Sequence, residues 1–151
     1  MESLGIIFKY DSNPNSEFSA SYINKDKEII WTSMSNFILF EELFHAYQYK
    51  VGYVKIENGK IANLKNMEVE AKLALYQYAI KTGATSGLPV DPQIWRDAFD
   101  PYIASPTPAN YQKMLDFLGN GRIFGQGYIN MTESSASRTT NNASTLLNCQ
   151  N

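Results

Sequence analysis

The chain holds one cysteine and one histidine in 151 residues. The cysteine, Cys149, lies close to the C-terminal end. Alone it cannot cross-link the fold, and it excludes a metal site built on cysteines. The lone histidine, His45, excludes any site that needs two or three histidines from one chain. No apolar run approaches the roughly 18 residues of a membrane span. The net charge of −2 gives no electrostatic case for nucleic acid or for an anionic membrane surface. The opening segment, MESLGIIFKYDSNPNS, lacks a basic start and a clean small-residue cleavage site. No signal peptide is therefore expected, and a cytoplasmic location is the default. Asn130-Met131-Thr132 and Asn142-Ala143-Ser144 match the glycosylation pattern. That pattern needs a secretory context of which this N-terminus gives no sign.

What is present describes a globular chain. Its length suits about one domain and can bury a core without disulfides. Hydrophobic residues make up 44% and charged residues 19%, a balance far from that of disordered chains. Strands are expected at residues 4–10, 17–23 and 28–33, with turns at 11–16 and 24–27. The second and third strands are expected to pair as a hairpin. A helix follows over 36–49, capped by Ser35 or Asn36 and ended by Gly52. Asn58-Gly59, between short apolar runs, predicts a small hairpin over 53–62. Further helices are expected at 64–81, 92–103 and 107–121, the last with Thr107 as cap, Pro108 in the first turn and Gly119 at the stop. Residues 1–131 read as a single domain. Residues 132–151 form a polar Ser/Thr/Asn tail that cannot order itself alone.

The most informative stretch is FEELFHAYQ, residues 40–48. A helix turns about 100° per residue. On that wheel Phe37, Leu39, Phe40, Leu43, Phe44, Ala46 and Tyr47 fill one broad half. Glu41, Glu42, His45, Gln48 and Tyr49 fall in the opposite arc. Glu41 and His45 are one turn apart and can reach the same ion, and Glu42 sits beside them. This is the spacing of H-E-x-x-H, in which positions i and i+4 bind a metal and position i+1 polarises the attacking water. The plain alternative is an amphipathic helix with an ordinary polar face.

The helix at 64–81 contains a carboxylate of a different kind. Glu68 and Lys72 form a favourable i, i+4 pair on one outward stripe. Glu70 instead lies between Leu73 on one side and Met67 and Ala74 on the other, sharing a narrow strip with Gln77 and Lys81. A carboxylate facing a packed interior is costly unless it is paired. A metal ion, Lys81 or a tyrosine hydroxyl would serve.

Together these segments resemble the zincin-like metallopeptidases in their gluzincin arrangement. SASYINKDKEIIWTS is similar to the hairpin before the active-site helix, LFEELFHAYQ to that helix, and MEVEAKLA to the E-x-E-A segment of the later one. The resemblance covers about residues 17–81. It implies an α+β fold with a small antiparallel sheet packed on the active-site helix and further helices behind. It implies one divalent metal on His45 and Glu70, with Glu42 as general base. Glu41 stands where the family has its first histidine. With Glu41, His45 and Glu70 as ligands, two carboxylates would already neutralise a divalent ion. Bound water would be activated less, and preference would shift from zinc toward manganese or iron.

Three readings follow. The first is a metal-dependent peptidase using Glu42. The second is a catalytically impaired or inactive module that binds a peptide or protein partner, with or without metal; the 13% aromatic content suits a recognition surface, and the missing histidine tips the balance toward it. The third is a carboxylate-bridged di-iron protein, since Glu42-x-x-His45 also fits that class. It would need a second such motif, which only a symmetric dimer could supply.

Overall fold

Asn58 and Gly59 both adopt left-handed backbone, with φ of 51° and 75°, the requirement of the tight two-residue hairpin turn. They join β4 (Ile56–Glu57) to β5 (Lys60–Ile61), with Ile56 opposite Ile61 and Glu57 opposite Lys60. The computed structural model that shows this hairpin describes residues 5–11, 20–23, 26–31, 35–88, 91–120, 128 and 130–133. Residues 12–16 of the turn expected at 11–16, residues 24–25 of the turn expected at 24–27, the outer ends of the first three expected strands, Cys149, Asn142 and the tail from 134 onward lie outside these residues. The chain divides into two compact units, Met1–Tyr53 and Val54–Asn151.

The first unit pairs a three-stranded sheet with one helix. β1 (Ile7–Tyr10), β2 (Ala20–Ile23) and β3 (Glu28–Trp31) lie in the order β1-β3-β2. β2 and β3 form the expected antiparallel hairpin, Tyr22 opposite Ile29. β1 adds to the far side of β3 in parallel, Phe8 opposite Ile29. The sheet is therefore mixed, where an antiparallel one was expected. Alternation along a strand marks its two faces but carries no sign of its direction, so the sequence could not supply this pairing. β3 is the central strand, and its Ile29 is fully buried. β1 is an edge held by the Lys9–Glu28 ion pair and by Tyr10 packed on Trp31 at 4.8 Å between ring centroids. The helix of this unit, α1 (Asn36–Lys50), packs against β2.

The second unit is built around α2 (Leu64–Thr82), with α3 (Pro92–Ala104) and α4 (Pro108–Leu118) packed on it and on each other. A single 3₁₀ turn, Thr85–Gly87, follows α2. α2 stops at Gly83, whose φ of 71° lets its N–H reach back to the Ala79 and Ile80 carbonyls, the usual glycine helix stop. α3 and α4 start alike, with proline in the first turn and a side-chain oxygen before it, from Asp91 and Thr107, accepting from the backbone. Asn110 then donates to the Pro101 and Ser105 carbonyls, satisfying acceptors that the end of α3 leaves open. Trp95, Phe99, Phe117 and Tyr76 form the aromatic centre of this unit. Helices and small sheets in separate runs make the chain α+β. No described helix is long and apolar enough to cross a membrane.

The start of α2 is unusual. Asn63 precedes it, yet its side chain does not cap the helix. The Asn63 Oδ1 instead accepts from the Lys55 N–H at 2.9 Å. The Lys65 N–H is satisfied from far along the chain by the Thr132 carbonyl at 2.8 Å. The Thr132 hydroxyl in turn donates to the Ile61 carbonyl. Thr132, the first residue of the expected tail, thus bonds both the hairpin and the helix start. Asn63 is fully buried, so Asn63→Ala removes an acceptor that the Lys55 N–H cannot easily replace. We expect a loss of about 1–3 kcal/mol, read by chemical denaturation with an unchanged m-value.

Candidate metal centre

α1 places its polar residues by ordinary helix construction. Ser35 caps it, its Oγ accepting from the Ile38 N–H at 3.2 Å. At the other end the Val51, Gly52 and Tyr53 N–H groups return to the Tyr47, Tyr49 and Gln48 carbonyls, and Gly52 takes a φ of 71°. Between these fixed ends Glu41 and His45 lie one turn apart, with Glu42 adjacent. All three are half-buried. The wheel placed Phe44 and Ala46 on the inner half, and both are buried. It placed Gln48 on the polar arc, but Gln48 is also fully buried.

The buried Gln48 is the residue that the motif alone does not reveal. Its Oε1 lies 2.9 Å from the His45 Nδ1. An amide oxygen only accepts, so this contact is a hydrogen bond when Nδ1 carries the hydrogen. In the neutral ring, Nε2 then holds the lone pair. This is the state in which an imidazole ligates a metal, its other nitrogen held by a hydrogen-bond partner. The signal was present in the sequence as the i, i+3 spacing of His45 and Gln48, but a wheel gives direction without burial. Tyr49 is half-buried, and burial raises its hydroxyl above the ordinary tyrosine range.

Glu70 belongs to the second unit. The wheel set it among apolar residues, and it is 1% exposed. Close by is Tyr102, itself 2% exposed. Burial raises the Tyr102 hydroxyl above its ordinary range, and the negative charge of Glu70 raises it further. Of the partners weighed for Glu70, a tyrosine is thus in its surroundings, while Lys81 is exposed. Glu68 is half-buried, and Lys72, expected on an outward stripe with it, is buried. The Lys72 ammonium lies 5.9 Å from the Tyr128 ring centre, within cation–π range.

Glu41 and His45 offer one carboxylate and one imidazole nitrogen one turn apart on α1, donors that suit a divalent cation of borderline to hard character. No protein-family model, no curated protein and no solved structure matches the chain.

Proposed function

We propose that the chain is a degenerate zincin-like module that holds a divalent metal on α1 and serves in binding rather than in efficient hydrolysis. The observation that carries this reading is the hydrogen bond from the His45 Nδ1 to Gln48, with Glu41 one turn earlier on the same helix. An ordinary solvated histidine on a polar face needs no buried amide behind it. Glu41 and His45 are the ligands on α1. A divalent cation bound by one carboxylate and one imidazole supplies Lewis acidity, but less than one bound by two neutral histidines. Glu42, beside Glu41, is the residue that would take a proton from water if hydrolysis survives. A peptide or protein is the partner that this reading implies.

The test is elemental mass spectrometry on the full chain after incubation with zinc, manganese or ferrous iron and removal of excess. We expect about one equivalent in the parent protein and background levels in His45→Ala. Metal-free parent protein, or His45→Ala loading as well as the parent, would sink the proposal. Glu41→Gln reports on the second ligand: loss equal to that in His45→Ala supports the assignment, and full retention removes Glu41 from the set. Peptide cleavage that disappears in Glu42→Gln would replace the binding role with an active hydrolase.

A further inference from the structure

Resting on that metal-binding reading, we infer that Gln48 is a positioning residue that fixes His45 as its Nδ1–H tautomer and so leaves Nε2 as the ligating atom. Three observations converge on this role. The His45 Nδ1 and the Gln48 Oε1 are 2.9 Å apart. Gln48 is fully buried, so water cannot take over as partner for its amide oxygen, and the His45 N–H provides the donor that a buried acceptor requires. The Gln48 backbone is fixed as well, because its carbonyl accepts from the Tyr53 N–H at 3.0 Å and Tyr53 is buried. Side chain and main chain of residue 48 are therefore both held, and the i, i+3 relation on one helix turns that rigidity into a fixed ring orientation at His45.

A neutral imidazole with no such partner divides between two tautomers and several ring orientations. Cation binding would then have to select one of them, and the affinity falls by the fraction that is competent. Holding the ring in advance removes that loss. Outer partners of metal-ligating histidines are commonly worth 10–100-fold in metal affinity. Gln48 differs from the carboxylate that often fills this position in being neutral. It orients the ring without adding a third negative charge to a helix face that already carries Glu41 and Glu42.

The experiment uses the only histidine in the chain as its own probe. Histidine-selective ¹⁵N labelling of the full, metal-free protein gives the two nitrogens of one imidazole, and long-range ¹H–¹⁵N correlations show which is protonated at a pH where the ring is neutral. We expect the Nδ1–H pattern in the parent protein and in Gln48→Glu, which keeps an acceptor. Gln48→Leu should move toward the Nε2–H pattern or a mixture. In the same variant the dissociation constant for zinc or manganese should rise about 10–100-fold, while Gln48→Glu stays near the parent. An Nε2–H pattern in the parent overturns the inference without reference to any variant, as does a Gln48→Leu protein, folded by circular dichroism, whose tautomer is unchanged. The expected tautomers in a parent protein that binds no metal would uphold the role of Gln48 and overturn the metal-binding reading alone.

Discussion

Trp95→Ala should destabilise the second unit by about 3–5 kcal/mol, the range for removing a fully packed large aromatic. Trp95 has no exposed surface. Its ring lies 5.4 Å from Phe99, 5.2 Å from Phe117 and 6.2 Å from Tyr76, measured between centroids. These neighbours come from α2, α3 and α4, so a single truncation removes contacts that join all three helices. Phe99 and Phe117 also meet edge to face, with an interplanar angle of 82°. For a chain of this length the melting midpoint should fall by roughly 10 °C. Trp95→Phe, which retains a ring, should lose less than half as much. A Trp95→Ala midpoint within 2 °C of the parent by calorimetry would show that the cluster contributes little, contrary to its burial.

The second large effect is a steep alkaline collapse. Tyr76 and Tyr102 are 1% and 2% exposed. Burial raises both hydroxyls. At Tyr76 the hydroxyl also donates to the Asp100 Oδ1 at 2.7 Å, which raises it further together with the Asp100 charge, against a smaller lowering by Arg96. At Tyr102 the Glu70 charge adds to burial. The folded values lie above the unfolded one, so the folded state keeps protons that the unfolded state releases. The stability contributed is fully present below the unfolded tyrosine value near 10 and is lost as pH rises toward the folded values. Each such tyrosine costs about 1.4 kcal/mol per pH unit across that window. Denaturation midpoints at pH 9, 10, 11 and 12 should therefore be level at first and then fall steeply. Glu70→Gln removes one of the two influences on Tyr102, so its tyrosinate absorbance should appear at lower pH than in the parent. A parent protein equally stable at pH 9 and pH 11.5 would contradict this reading of both sites.

Much of the fold was legible because its signals are local. Asn58-Gly59 demands a left-handed pair of residues, and the hairpin is there. Ser35 and Thr107 are good caps because a short hydroxyl reaches back to the backbone two or three residues on, and both do so. The starts of α1 and α4 followed from these caps and from Pro108. The features that escaped the sequence are those that depend on distant chain. The parallel addition of β1 leaves no trace in its own alternation. The withdrawal of Asn63 from capping depends on the Lys55 N–H, eight residues away. Lys72 reads as a surface residue, yet it is buried, with its ammonium near the Tyr128 ring.

The candidate site divides in the same manner. The spacing of Glu41, Glu42 and His45 is a property of one helix and could be read directly. Glu70 announced itself by having apolar neighbours on both sides. Gln48 did not, because its polarity argued for solvent while its position at the end of α1 put it inside. A buried amide three residues after a histidine looks no different in sequence from an exposed one. The hydrogen bond from the His45 ring is what separates the two.

The bond from Thr132 to Ile61 spans 71 residues, and this has a consequence for synthesis. The first turn of α2 and the hairpin beside it leave the ribosome long before the residue that ties them together. At ordinary elongation rates of about 5–20 residues per second, the gap is roughly 4–14 seconds. Until Thr132 is made, the Lys65 N–H lacks this partner. The tie between the hairpin and the start of α2 therefore closes only after residues 64–118, which hold the described helices of this unit, have been synthesised.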